Sequence, residues 1–169
     1  QRFVTGAGCY VDDMQPPGLV HAVVLRSPHA HADIRSIATV EAAAGSGVIA
    51  ILTGRDLEPA GIGPMLPNER VNLYSGEPFR YPTQYPLALD RVRYAGEAVA
   101  LVIAETKAQA LDAAEQIAVD YAPLPATIAI VEALASGDDA NICLEWAVGD
   151  ADATAAAFQA AAHVTQLDL

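Results

Sequence analysis

With 169 residues, 53% hydrophobic and 18% charged, the chain carries enough apolar side chain for one ordinary core and a small appendage, which excludes a disordered polymer. A formal charge of -12 repels nucleic-acid phosphates and anionic membrane surfaces, and the nine basic residues are scattered singly or in short pairs such as Arg91 and Arg93, so neither partner is expected. Cys9 and Cys143 are the only cysteines, too few for a disulfide framework or for a zinc or iron–sulfur centre.

From the N-terminus, residues 19–26 (LVHAVVLR) predict a buried strand that Ser27-Pro28 ends, because proline cannot donate to a ladder. A second strand is predicted over 32–37, then a short alanine-rich helix over 40–44 that Gly45 and Gly47 terminate. Residues 48–52 (VIAIL) predict another buried strand, closed by Thr53-Gly54. Residues 60–86 lose all periodicity and hold five prolines and four aromatics, the pattern of a long loop whose rings need a surface.

Regular structure is predicted again over 91–94, followed by a turn at Gly96-Glu97 and a strand over 98–104. Thr106 and Gln109 have capping-box spacing, so a helix starts there, with Leu111, Ala114, Ile117 and Ala118 on its predicted inner face and Asp112 and Glu115 outside. Residues 119–121 lead into Pro123 and Pro125, residues 128–135 read as strand passing into helix, and 136–149 read as a linker. Asp150 caps a last predicted helix over 151–161. The longest apolar run, 98–104, is far too short to span a bilayer, and no basic stretch with an apolar core opens the chain, so a cytoplasmic location is expected. The start at Gln1 and the strand-like end at 164–169 read as cuts from something longer.

The chemistry-bearing residue types are sparse. Gly6-Ala7-Gly8 and Gly61-Ile62-Gly63 open dinucleotide-type patterns, but Val11 and Leu66 stand where the third glycine is needed, so both read as turns. The only lysine, Lys107, lies in the first turn of a predicted helix, which removes phosphate-loop and Schiff-base chemistry. His29 and His31 would share one face if they lay on a strand and could seed a metal site with His21. Their place after Pro28 favours turn or surface histidines instead. Asp150-Ala151-Asp152 resembles a calcium-loop opening, but Ala155 and Ala161 stand where that loop needs glycine and glutamate. Glu97 is the carboxylate most worth inspecting, with an exposed turn position as its expected setting.

An ordered series of short segments carries a family resemblance. It runs from Thr5-Gly6-Ala7-Gly8-Cys9-Tyr10-Val11-Asp12-Asp13 and Pro17-Gly18-Leu19-Val20-His21-Ala22 to Arg26-Ser27-Pro28-His29-Ala30-His31-Ala32. In register follow Gly47-Val48-Ile49-Ala50-Ile51-Leu52-Thr53-Gly54-Arg55-Asp56-Leu57, Pro86-Leu87-Ala88, and Val92-Arg93-Tyr94-Ala95-Gly96-Glu97-Ala98-Val99-Ala100. Ala104-Glu105-Thr106, Val119-Asp120-Tyr121 and Leu124-Pro125-Ala126 complete it. Together they resemble the large subunit of the aldehyde oxidase/xanthine dehydrogenase family of molybdenum hydroxylases, at its N-terminal α/β hammerhead domain. Ala98 departs from the proline that many relatives carry after the Gly-Glu turn.

The resemblance implies an α+β fold of small mixed sheets with two or three packing helices, a hammerhead over residues 3–135, a linker over 136–149, and the start of a cofactor-binding domain over 150–169. It implies a parent enzyme that hydroxylates aldehydes or N-heterocycles, or oxidises carbon monoxide, at a molybdenum–pterin centre. Oxygen would come from water, and electrons would leave through two-iron two-sulfur clusters to FAD. Implied partners are the remaining molybdenum-binding domains and the iron–sulfur and FAD subunits or domains. Because the family's catalytic and pterin-binding residues lie in later domains, no catalytic, cofactor or metal residue is transferred to this chain. A wall or mouth of the substrate channel is expected in the 60–86 loop, with Met65, Leu66, Phe79, Tyr81 and Tyr85 as its lining. The alternative is a free-standing binding or carrier module of barrel-sandwich type, which would need Lys107 at an exposed hairpin tip.

Overall fold

A computed structural model describes residues 1–66, 83–136 and 148–167. The chain divides into two compact units, Gln1–Met65 with Gln84–Ala126, and Leu66–Thr83 with Thr127–Leu169. In the first unit the order is β1 (His21–Arg26), β2 (Ala32–Ala38), α1 (Val40–Ala43), β3 (Val48–Thr53), α2 (Gly54–Leu57), β4 (Arg91–Val92), β5 (Ala98–Ala104), α3 (Lys107–Glu115) and β6 (Ala118–Pro123). A single 3-10 turn, Val11–Asp13, precedes them. The described part of the second unit holds α4 (Ile130–Ser136) and α5 (Ala151–Ala160).

Two three-stranded antiparallel sheets, β1-β5-β3 and β4-β2-β6, form the frame. The β-branched run of β5 makes it the centre of the first sheet, paired with β1 through Val23↔Val102 and with β3 through Ile51↔Val102. Ala100, Val102 and Ala104 point under α3 and are 0% exposed, and Ala42 of α1 joins the same cluster. Burying one valine of that kind contributes roughly 1.5–3 kcal/mol. A second cluster of Ala32, Ile34, Ala88, Val92 and Val99 belongs to the other sheet, with Val99 reaching it from β5. Arg91 on β4 donates its Nε–H to Asp33 on β2 at 2.6 Å. That bond holds the Asp33 carboxyl below the ordinary carboxylate range and raises the already high Arg91 value.

The helix after β5 starts as its cap predicts. Thr106 Oγ1 accepts the Gln109 N–H, and Gln109 Oε1 accepts the Thr106 N–H at 3.0 Å. Of the four positions expected inside, Ala114 and, just past the helix, Ile117 are buried, joined by Ala110 and Ala113, while Leu111 is 45% exposed and Ala118 is the first residue of β6. Both sets of positions fit a 3.6-residue period. Small side chains win because three alanines let the helix lie close to β5, where Leu111 would hold it away.

Two strands predicted as buried are only half so. β1 alternates half-buried and exposed along its length, and β3 keeps Ile49 outside at a bulge between Val48 and Ala50. Apolar runs predict strand well but do not say whether both faces are covered. Residues 127–129 are not strand, and α4 begins at Ile130. Asp150 Oδ1 accepts the Ala153 N–H at 2.9 Å, which caps α5 as its sequence predicts.

Candidate functional site

The clearest built site in the first unit lies at the neck of the 60–86 loop. β3 ends in Thr53, whose N–H and hydroxyl both donate to Asp56 Oδ2 at 2.7 Å and start α2. The sequence reading closed β3 at Thr53-Gly54 and gave no helix there. The signal was Thr53-x-x-Asp56, a capping box with a shorter acid than usual. These bonds hold the Asp56 carboxyl below its ordinary 3.8, with the Thr53 hydroxyl as the larger cause. Gly54 then passes so close to the returning chain that a Cβ there would stand 2.6 Å from the Ala88 carbonyl oxygen and 2.9 Å from that of Leu87. Outgoing and returning strands are also joined by an antiparallel bridge, in which the Met65 N–H donates to the Gln84 carbonyl at 2.7 Å.

Between them runs an open groove of about 250 Å³ lined by Gly54, Glu58, Ile62, Pro64, Tyr85 and Leu89. Of the five residues named for the channel, Tyr85 lines this groove half-buried and Met65 sits exposed at its bridge. Leu66, in the second unit, is exposed, and Phe79 and Tyr81 lie outside the described residues. Glu58 was not singled out in sequence, because nothing in its local pattern distinguishes it from a solvated helix-end carboxylate. A larger furrow of about 600 Å³ follows α5 past Asp150, Phe158 and His163, but no residue of that helix is buried. It is a concave stretch of surface.

The acid limb of stability tests the Asp56 cap. Because the folded-state value lies below the unfolded 3.8, the stabilisation is complete above 3.8 and is lost as pH falls through the folded value. Asp56→Asn is expected to remove that part of the acid-induced fall in thermal midpoint. A variant whose midpoint falls with pH as steeply as the parent chain's would show that the cap carries none of it.

Glu97 is not an exposed turn carboxylate. It is 7% exposed, and its Oε2 accepts the Arg93 N–H. Gly96, at φ +91°, reverses the chain so that the side chain folds back on β4, a conformation that disfavours any residue with a Cβ. The Ser27 N–H donates to the Glu97 carbonyl at 2.9 Å, and the Arg26 guanidinium donates to the Gly96 carbonyl at 2.8 Å. Glu97 therefore clamps the turn between β4 and β5 against the end of β1.

His29 and His31 lie in the connection between β1 and β2 rather than on a strand, and they face different partners. The His29 ring stacks tilted at 4.8 Å from Tyr121, and the His29 backbone N–H donates to Ser27 Oγ at 3.0 Å. His31 Nδ1 donates to the Pro125 carbonyl at 2.7 Å, tying the start of β2 to the end of β6. Burial pushes the Tyr121 hydroxyl above its ordinary value, while a hydrogen bond with Ser27 acts the other way.

Among the described residues no group of three or more His, Cys, Asp or Glu could hold a metal ion, and Cys9 is exposed. The groove presents one carboxylate, one phenol and no cation. The described residues thus do not fit a molybdenum–pterin seat. Lys107 is the first residue of α3, not a hairpin tip, which removes the carrier geometry. Among the described residues no helix is long and apolar enough to cross a membrane.

Comparison with known proteins gives a consistent picture. The sequence pattern of the "aldehyde oxidase and xanthine dehydrogenase, a/b hammerhead domain" matches residues 5–125. The carbon monoxide dehydrogenase large chain of Afipia carboxidovorans is 33% identical over 99% of this chain and 22% of its own length. The nicotine 6-hydroxylase large subunit of Paenarthrobacter nicotinovorans is 36% identical over 83% of this chain and 16% of its own. Among solved structures, quinoline 2-oxidoreductase from Pseudomonas putida 86 superposes with a TM-score of 0.70 at 38% identity, over 79% of this chain and 16% of that one. A Cu,Mo-CO dehydrogenase superposes at 0.64 and 38%, over 78% of this chain and 15% of that one. The chain thus spans about a fifth of the length of the first of these relatives, and less of the others.

Proposed function

The chain belongs to the aldehyde oxidase and xanthine dehydrogenase family through its a/b hammerhead domain, and on that premise we propose that it is a non-catalytic, N-terminal part of the large subunit of a cytoplasmic molybdenum hydroxylase. The hammerhead takes residues 3–135, 136–149 form a linker, and 150–169 begin the next domain. The carrying observation is the mismatch of coverage: 99% of this chain aligns with 22% of a carbon monoxide dehydrogenase large chain. The parent would oxidise an aldehyde, an N-heterocycle or carbon monoxide. Molybdenum–pterin would be held by later domains, with two-iron two-sulfur clusters and FAD on partner subunits or domains. Reading the gene beyond Leu169 tests this directly. A long continuation with glycine-rich pterin-binding loops is required, and an immediate stop codon would overturn the reading.

The 60–86 loop is proposed as part of the substrate-channel wall or mouth, with Met65, Leu66, Phe79, Tyr81 and Tyr85 supplying apolar and amphipathic contacts. In the intact enzyme, Tyr85→Ala and Leu66→Ala are expected to change KM or substrate preference more than thermal stability. Wild-type kinetics for both variants on substrates of several sizes would leave the loop with a packing role only.

A further inference from the structure

The groove at the loop neck is a recess with an unmet charge. It lies wholly in the first unit, between the end of α2 and the returning chain at Tyr85 and Leu89. Its volume of about 250 Å³ falls below the roughly 300–1,000 Å³ of drug-sized ligand sites, so its occupant is small. Ile62, Pro64 and Leu89 give it apolar walls. Gly61 and Gly63 also line it, and a Cβ on either would meet nothing within 4 Å, so that part of the wall is bare backbone. Two polar side chains complete the lining, the Glu58 carboxylate and the Tyr85 phenol. Among the described residues neither side chain makes a hydrogen bond or an ion pair, and Arg55, the cation nearest to Glu58 in sequence, pairs with Asp90 at 3.8 Å instead.

The ligand chemistry follows from that lining. An anion would find no cation to hold it. A metal ion held by protein needs several oxygen ligands, and among the described residues no group of three His, Cys, Asp or Glu could supply them. A neutral apolar molecule would strip water from Glu58 and return no partner. An ammonium does return one, since its N–H groups donate to the carboxylate while an aromatic ring face attracts its charge. We infer that the groove binds a small organic ammonium, its charge held by Glu58 and Tyr85 and its apolar body lying against Ile62, Pro64 and Leu89. Such binding is independent of the substrate-channel reading. It needs only the first unit, and its failure would leave the kinetics of Tyr85→Ala and Leu66→Ala to decide that reading.

The test is amide NMR of the 169-residue chain titrated with benzylammonium chloride, and with benzyl alcohol as its neutral counterpart. Saturating shifts are expected at the amides of Gly61, Ile62, Gly63 and Leu89, with benzyl alcohol binding at least about threefold more weakly. Glu58→Gln changes an exposed side chain and should weaken benzylammonium by at least about threefold. Tyr85→Leu should do the same; if circular dichroism shows it unfolded, Glu58→Gln and the neutral probe decide. A net charge of -12 attracts cations to the whole surface, and shifts that spread over it, fail to saturate and ignore Glu58→Gln would overturn the inference. Equal affinity for the alcohol would overturn it too, by marking a plain apolar groove. So would no response at all, or tighter binding of Nα-acetyllysine amide, which would mark a lysine of a partner peptide as the occupant.

Discussion

Replacing Gly54 by alanine is expected to lower the stability of the first unit by about 1–3 kcal/mol, the usual cost of forcing an extra methyl group into a packed position. The added Cβ would stand 2.6 Å from the Ala88 carbonyl oxygen and 2.9 Å from that of Leu87, and both are backbone atoms that cannot rotate aside. Ala88 itself is buried, and its N–H donates to the Ala98 carbonyl at 2.8 Å, so the returning chain is anchored to β5 and resists displacement. The clash therefore reaches the groove as well as the core edge. A contrasting position lies nearby: a Cβ on Gly63 would meet nothing within 4 Å, so Gly63→Ala should be neutral or slightly stabilising. Urea unfolding of both variants, compared at equal m, separates the two outcomes. Equal midpoints for Gly54→Ala and Gly63→Ala would contradict the close approach at the loop neck.

A larger loss is expected from Val102→Asp. Val102 is 0% exposed at the centre of β5, between Val23 and Ile51 and beneath the alanine face of α3. No described side chain of that cluster carries a charge. An aspartate there must either remain ionised without a partner or take up a proton, and either way the penalty is several kcal/mol against a total domain stability of about 5–15 kcal/mol. The variant should lack a cooperative thermal transition at neutral pH. Val102→Ala, which only leaves a small cavity, should keep that transition at a lower midpoint. A folded Val102→Asp chain with near-normal midpoint would mean that α3 does not seal this face.

How much of this was legible in the sequence depended on whether the deciding interaction was local. The ends of β5, the start of α3 and the cap of α5 were read correctly because their signals lie within a few residues: the apolar run closing at Ala104, the Thr106–Gln109 pair and Asp150. On and just after α3, Ala114 and Ile117 lie inside as expected, whereas Leu111 gives way to Ala110 and Ala113, because two registers of apolar residues fit one helical period and only contact with β5 selects the alanines. Glu97 was expected at the surface because turn composition predicts exposure, whereas its burial depends on Gly96 folding it onto Arg93. The same holds for the groove. Glu58 and Tyr85 are far apart in sequence and line one groove beside Gly54, where the returning backbone passes close. Phe79 and Tyr81, which the loop's composition singled out, lie outside the described residues.

The most direct test of the central claim, that this chain supplies framework and surface while redox chemistry belongs to the rest of a larger enzyme, is metal analysis with a visible spectrum on two samples. One is the purified 169-residue chain and the other the intact parent enzyme. The account predicts stoichiometric molybdenum and iron in the intact enzyme, and neither metal nor flavin absorbance in the short chain. Stoichiometric molybdenum or iron retained by the short chain would contradict it, because a cofactor site would then lie within these residues.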